Sequence, residues 1–516
     1  MPTGRFALKK RLSQSSAVFN LSSRLHLVNP LNLPIHIVDL AVFIAYLCFV
    51  VAFGVWIGRG QKTLSHYLPG ARNLPWWGLL GSIVATETST VTFLSVPGIT
   101  FAQGGDLRFL QLTIGYIVGR IIISVVMLPM YFRGQLFTAY EILENRFGVA
   151  TKRIASILFL LARNFGDALR LFLTALVIEQ MFGTSLELSV IVLGILTIVY
   201  TLFGGMKAVV WNDCIQFIVY ILGGILIFAI IAQRMPNGMG QILEFGKSTD
   251  RLTLFDFSLV FSDAFTFWAG LIGGMFLTLG THGVDQMLVQ RYLSARSQAD
   301  AAIAVVASGF VVCLQFAFFL MLGVALACYS SVNGATELAN DRALANFIVN
   351  DLPAGRGLVG IILAGVFSAA MSTLSSSLNS SATVVVNDFL ASGKKENDAD
   401  SLLRYSRWLT AVFGVIQIVI AISAAQFSRS VVSEVLGIAG LTVGIILGLF
   451  ALANGRLKIS EPAAICGLVC GATVLGYVKF QTSIAWPWYA LIGSATTYAF
   501  GSIIQIAGQI LQKETA

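Results

Sequence analysis

The sequence predicts an all-α polytopic membrane protein, and three observations carry that prediction. Hydrophobic residues make up 56% of the 516-residue chain and charged residues only 11%, against about a quarter in an ordinary soluble domain. Mean hydropathy is +0.82. Apolar runs of about 20 residues, the length a helix needs to cross a bilayer, recur along nearly the whole chain. They are continuous rather than alternating. That excludes a membrane barrel and leaves helices, because in lipid each span must satisfy its own backbone.

About 13 spans follow from those runs. They lie near 38–58, 76–102, 109–132, 153–182, 186–204, 209–233, 263–282, 301–329, 357–388, 405–424, 430–453, 461–479 and 485–511. The first is plainly apolar. The second reads LLGSIVATETSTVTFLSVPG, with hydroxyls and Glu87 at its middle. The fourth carries Arg163, Asp167 and Arg170 in an i, i+4, i+7 pattern that puts them on one face. Asp213 opens the sixth. The seventh, WAGLIGGMFLTLGTHGVDQ, holds Gly270, Gly273, Gly274, Gly280 and Gly283. The ninth is rich in hydroxyls, and the last four are largely apolar. The longest links, around 235–262 and 330–356, are too short for a separate catalytic domain.

The second and seventh spans look interrupted at corresponding places. Paired broken helices are the sequence mark of an inverted-repeat transporter. The expected organisation is a disordered basic tail over 1–37, a peripheral helix and linker over 38–74, and a first repeat of five helices over 75–233. A linker over 234–262, a second five-helix repeat over 263–453 and peripheral C-terminal helices over 454–516 complete it.

Lys and Arg in the loops set the expected orientation. Arg59, Lys62, Arg72, Arg133, Arg146, Lys152, Arg153, Lys207, Arg291, Arg296, Lys394, Lys395, Arg404, Arg407, Arg456 and Lys458 fall on one side. Arg108, Arg234, Lys247, Arg251, Arg342, Arg356, Arg429 and Lys479 fall on the other. The richer side is cytoplasmic, which gives N-terminus outside and C-terminus inside an integral plasma (inner) membrane. The basic tail runs against this and has no apolar core, so it is not read as a signal peptide. The formal charge of +8 does not indicate nucleic acid, because the basic residues are scattered over short loops. Cys48, Cys214, Cys313, Cys328, Cys466 and Cys470 all lie in apolar runs and read as small packed residues.

The stretch MSTLSSSLNSSATVVVNDF, from Met371, is dense in hydroxyls for so apolar a chain. Ser372 with Ser375 and Ser376 meets the three-to-four spacing of one helix face, and Thr373 lies beside them. Two readings stand. Hydroxyls with the free carbonyls of a broken partner helix suit a hard monovalent cation. Small and hydroxyl residues also line close helix contacts in membranes. The intramembrane charges have a similar ambiguity, since such groups face a cavity or one another. Arg163, Asp167 and Arg170 form an ion-pair ladder or serve a site. Glu87 reads as a cavity residue.

Four motifs in order resemble the sodium:solute symporter family: YLPGARNLPWW (67–77), YTLFGGMKAVVWNDCIQ (200–216), GVDQMLVQRYLSARS (283–297) and LAGVFSAAMSTLSSSLNSSATVVVNDF (363–389). The resemblance runs from about Val38 to at least Ala453. It implies the leucine-transporter-like (LeuT-like) five-plus-five inverted-repeat fold and Na⁺-driven alternating access. It places a main Na⁺ site on the backbone of Ala85 and Thr88, the carbonyl of Ala369 and the hydroxyls of Ser372 and Thr373. It places a second Na⁺ site on Asp213, Ser375 and Ser376, with Ser372 shared.

Family substrates include sugars, amino acids, sialic acid, monocarboxylates, iodide and vitamins. The position of the Asn-x-x-Tyr-Trp stretch of sugar members reads Thr278-Leu-Gly-Thr281-His282, which speaks against sugar. Arg163 lies closest to the arginine that pairs a carboxylate in sialic-acid members, and bidentate guanidinium–carboxylate pairing supplies the reason. Gln111, Ser89 and Thr92 match substrate-contact positions, Glu87 would meet an amine or stay protonated, and His282 would hydrogen-bond substrate or pack. The expectation is a Na⁺-coupled importer of a small carboxylate-bearing or zwitterionic solute, sufficient as a monomer. A proton-coupled symporter using Glu87 and a neutral solute are the nearer alternatives, and a solute sensor the remoter one. No signalling domain follows the last span to Ala516, and no nucleophile–base or His/Asp metal set argues for an enzyme.

Overall fold

The computed structural model describes residues 35–58, 73–134, 136–333, 343–390, 399–424 and 431–514. The basic tail up to Pro34, the linker with Arg59, Lys62 and Arg72, and the stretches with Arg342, with Lys394 and Lys395 and with Arg429 lie outside the described residues.

Each expected span falls on helix. In chain order these are α1 (Ile37–Gly58), α2 (Trp76–Glu87), α3 (Thr90–Phe101), α4 (Arg108–Phe132), α5 (Val149–Phe182), α6 (Leu186–Leu202) and α7 (Gly205–Arg234). There follow α8 (Gly274–Gly283), α9 (Gln286–Leu293), α10 (Gln298–Asn333), α11 (Leu358–Leu390), α12 (Ser401–Ala424), α13 (Val431–Asn454), α14 (Glu461–Gln481) and α15 (Trp486–Lys513). Eight described helices are long and apolar enough to cross a membrane alone, and α2 with α3 makes a further, bent span. The protein is an integral membrane protein.

The break in the second span is sharp. Thr88 (φ −81°, ψ 95°) and Ser89 (φ −99°, ψ 177°) are extended, and the axes of Trp76–Glu87 and Thr92–Phe101 differ by 59°. Extended residues end the i→i−4 ladder, so the last carbonyls of α2 lack helical donors. The seventh span breaks later than its glycines suggest. A π turn at Ala269–Gly273 leads into α8, and the chain leaves helix only at Val284 and Asp285, where the Asp285 carboxylate caps α9 through the Met287 N–H at 2.9 Å. The glycines serve packing instead. A Cβ on Gly270 would lie 2.6 Å from the Gln111 carbonyl, and one on Gly274 2.7 Å from that of Leu112. Only glycine lets α8 and its π turn seat this closely on α4.

The expected loop between the fifth and sixth spans is a kink. Helix runs from Leu186 to Arg234 but for Gly205, at φ 54° and ψ −175°. That backbone is open essentially to glycine alone. Gly205→Ala is therefore expected to destabilise the protein by about 1–3 kcal/mol, read as a lowered melting temperature in detergent. An unchanged melting temperature would show that the kink tolerates a side chain.

Burial ranks the helices. In α11, 89% of the most apolar stretch is buried inside the protein, against 17% in α1. The Leu358–Val385 part of α11 packs most extensively against α6 and α7. Its hydroxyls therefore face protein rather than lipid. At the end of α11, Asp388 is fully buried and accepts from Thr138 Oγ1 at 2.9 Å and Ser156 Oγ at 2.6 Å.

Candidate functional site: the broken-helix seam and its charged cavity

The first part of the site is the seam between α2 and α11. In an intact helix, the carbonyls of Ala85 and Thr86 would take their donors from the next turn. The break removes those donors, and α11 supplies replacements. Ser372 Oγ donates to the Ala85 carbonyl at 2.9 Å, and Thr373 Oγ1 to the Thr86 carbonyl at 3.0 Å. The Ala369 carbonyl lies 3.4 Å from Ser372 Oγ and 3.5 Å from Thr373 Oγ1. These groups are buried and all offer oxygen, a donor set that suits a hard cation such as Na⁺. Thr88 sits at the break, with its hydroxyl held by Gln315 at 2.7–2.9 Å. Ser375 and Ser376 bond back to the Ser372 carbonyl at 3.2 and 2.7 Å.

The second part is a cavity of about 110 Å³ beside the seam. Glu87 reaches it from α2, Tyr116 from α4, Arg163 and Arg170 from α5, and Thr278, Thr281 and His282 from α8. Its charges are paired. Arg163 donates to Asp285 through Nη2 at 2.5 Å and Nε at 3.1 Å, whereas Asp167 is 3.9 Å away. Arg170 pairs with the fully buried Asp167. The expected ladder is thus a pair plus a cross-helix pair. Glu87 is held by Arg120, whose guanidinium also donates to Ser308 Oγ at 2.6 Å, and by His282 Nε2 at 3.3 Å.

Of the other expected contact residues, Ser89 and Thr92 are buried near the break but do not line the cavity. Gln111 is also away from it. Its amide nitrogen donates to the Phe265 carbonyl at 2.7 Å and its oxygen accepts from the Asp256 N–H at 3.1 Å.

Two fully buried arginines escaped the sequence reading. Arg120 lies in the middle of an apolar run, and a charge at that depth is itself the signal. Arg291 was placed in a cytoplasmic loop, but it is buried in α9 and paired with Asp213 at 3.0 Å. Arg120–Glu87, Arg163–Asp285, Arg170–Asp167 and Arg291–Asp213 together pair four cations with four anions. Among the described residues, no group of three or more His, Cys, Asp or Glu is placed to hold a metal ion, and Cys466 and Cys470 are free.

A family model for the sodium:solute symporter family matches residues 67–471. The chain belongs to this family. Na⁺ is therefore the coupling ion, a small solute is co-transported, and the chain is a transporter rather than an enzyme. The symporter is 29% identical over 465 residues to the sodium/sialic acid symporter NanT of Aliivibrio fischeri, covering 89% of this chain and 90% of that one. It is 29% identical over 454 residues to the sodium-coupled monocarboxylate transporter 2 of Bos taurus, covering 86% and 73%. Its structure matches that of a Na⁺-coupled sialic acid symporter in a substrate-bound, outward-open state, with TM-score 0.83 and 25% identity over 92% of this chain and 98% of the other. The symporter has that leucine-transporter-like, five-plus-five inverted-repeat fold.

Proposed function

We propose that the symporter imports a small carboxylate-bearing or zwitterionic solute, with the main Na⁺ held at the α2–α11 seam by Ala85, Thr88, Ala369, Ser372 and Thr373. The observation that carries the substrate class is the cavity wall made by Arg163 and Arg170. Both side chains keep some exposure, 12% and 16%. Arg163 also retains donor capacity, because its Nη1 is too far from Asp167 for a hydrogen bond. A carboxylate entering here meets unused N–H groups. Glu87 and His282 on the α2 and α8 walls would take an ammonium or hydroxyl of the same solute. The sialic acid and monocarboxylate relatives support the reading.

Na⁺ at the seam would draw the break in α2 against α11 and shape the cavity, so ion and solute bind with reciprocal positive coupling. Each Na⁺ moving down a 100 mV potential supplies about 2.3 kcal/mol. Glu87 already has a guanidinium partner, which fits a fixed counter-ion better than a proton carrier. The repeats are 75–233 and 263–453, the N-terminus is outside, the C-terminus is cytoplasmic, and a monomer in the plasma (inner) membrane suffices for transport.

Thermal stability of the purified protein across carboxylates, amino acids and neutral sugars, in Na⁺ against K⁺ at equal ionic strength, tests this. A bound ligand raises the melting temperature by mass action. Carboxylates should stabilise only with Na⁺, and Arg163→Gln should remove that effect. Stabilisation by neutral sugars alone would overturn the substrate class.

A further inference from the structure

We infer that Arg291 is a built-in cation occupying the second cation cage, so that the symporter binds one Na⁺ and not two. The inference rests on the reading of the α2–α11 seam as the main Na⁺ site.

The cage comes from four helices. Arg291 enters from α9. Its Nε donates to Ser82 Oγ of α2 at 2.8 Å, and its Nη1 to the Met287 carbonyl at 2.5 Å. Its Nη2 meets Thr86 Oγ1 of α2, Asp213 Oδ2 of α7 at 3.0 Å and Ser376 Oγ of α11 at 2.5 Å. Ser82 also donates to Asp213 Oδ2 at 2.6 Å. All these side chains are at most 3% exposed.

One carboxylate, three hydroxyls and a carbonyl are the oxygens that a dehydrated monovalent cation would ask for. Here a guanidinium lies among them. Asp213 and Ser376 are two of the residues that the family resemblance assigns to a second Na⁺. Its charge is already neutralised by Arg291, and a Na⁺ placed between them would face a buried guanidinium at contact distance. Removing the guanidinium would leave Asp213 a buried, uncompensated carboxylate, with Oδ1 already lacking a hydrogen-bond partner among the described residues. Such a carboxylate recruits a cation, because an unpaired buried charge is strongly unfavourable.

The cage touches the seam directly. Thr86 gives its hydroxyl to the cage and its carbonyl to Thr373. Ser376, bonded to Arg291, also bonds the carbonyl of Ser372. Arg291 thereby clamps the same two helices that the seam ion joins, without leaving the protein during the cycle.

Equilibrium binding of radioactive Na⁺ to the purified full-length protein gives the number of ions per chain. One Na⁺ is expected in the native protein, and its loss is expected in Ser372→Ala/Thr373→Ala. Arg291→Gln should bind a second Na⁺, and Arg291→Gln/Asp213→Asn should return to one. Two Na⁺ per native chain would overturn the inference. So would a single Na⁺ that survives in Ser372→Ala/Thr373→Ala and is lost in Asp213→Asn, since the ion would then lie in the cage. The native count keeps the test decisive even where Arg291→Gln does not fold. The main-site reading fails separately, if a single Na⁺ survives in both the seam variant and Asp213→Asn.

Discussion

Replacing Arg120 with methionine is expected to destabilise the protein by about 3–5 kcal/mol, the effect of stripping one partner from a buried ion pair. Arg120 is fully buried and fastens three helices, α4 by its own position, α2 through Glu87 and α10 through Ser308. Without it Glu87 keeps, among the described residues, only His282, 3.3 Å away. Neutralising both partners removes the uncompensated charge, and such replacements are often neutral in stability. Arg120→Met/Glu87→Gln should therefore recover most of the melting temperature lost by Arg120→Met alone. Equal instability of the single and double variants would mean that Arg120 acts through packing, not through charge. Transport should be lost in both, because Glu87 lines the cavity.

Ser372→Ala/Thr373→Ala is expected to weaken Na⁺ stabilisation of the protein by ~10–100-fold in half-saturating concentration. Each hydroxyl is a candidate ligand, and each also donates to a carbonyl freed by the break in α2. A polar group left without its partner loses about 1–3 kcal/mol, and every 1.4 kcal/mol is about tenfold in affinity. The measurement is melting temperature against Na⁺ concentration at constant ionic strength. Ser380→Ala is the control, since that hydroxyl bonds within its own helix, to the Ser377 carbonyl at 3.1 Å. If the double variant and the control respond to Na⁺ alike, the seam is a packing contact and the ion binds elsewhere.

Local pattern and long-range pairing were unequally legible. The helices were legible because bilayer thickness imposes a length on each apolar run. The break at Thr88 and Ser89 was legible because hydroxyls and a carboxylate interrupt an apolar run that otherwise reads as helix. The kink at Gly205 was less so. The residue before it is also glycine, and residue type alone does not separate a kink from a loop. The ladder on α5 shows the limit of helix-face reasoning. Spacing put Asp167 within reach of both arginines, but Arg163 turns to Asp285, more than a hundred residues away in the chain, at 2.5 Å. Arg291 misled for a related reason. The inside-positive rule counts charges in loops, and an arginine that folds back into the bundle from a loop-like motif looks no different in sequence.

By itself, the sequence determined that this protein lives in a bilayer, that it is helical throughout its spans, where the second span breaks and which family it resembles. Each of these is a property of a contiguous stretch, fixed by transfer energy or by backbone geometry. Only the tertiary structure decided that the Ala85 and Thr86 carbonyls meet Ser372 and Thr373, that Arg120 answers Glu87 and that Arg291 sits against Asp213. Those are choices among partners of equal chemistry. A buried arginine will take any carboxylate within reach, and reach is set by how the helices cross.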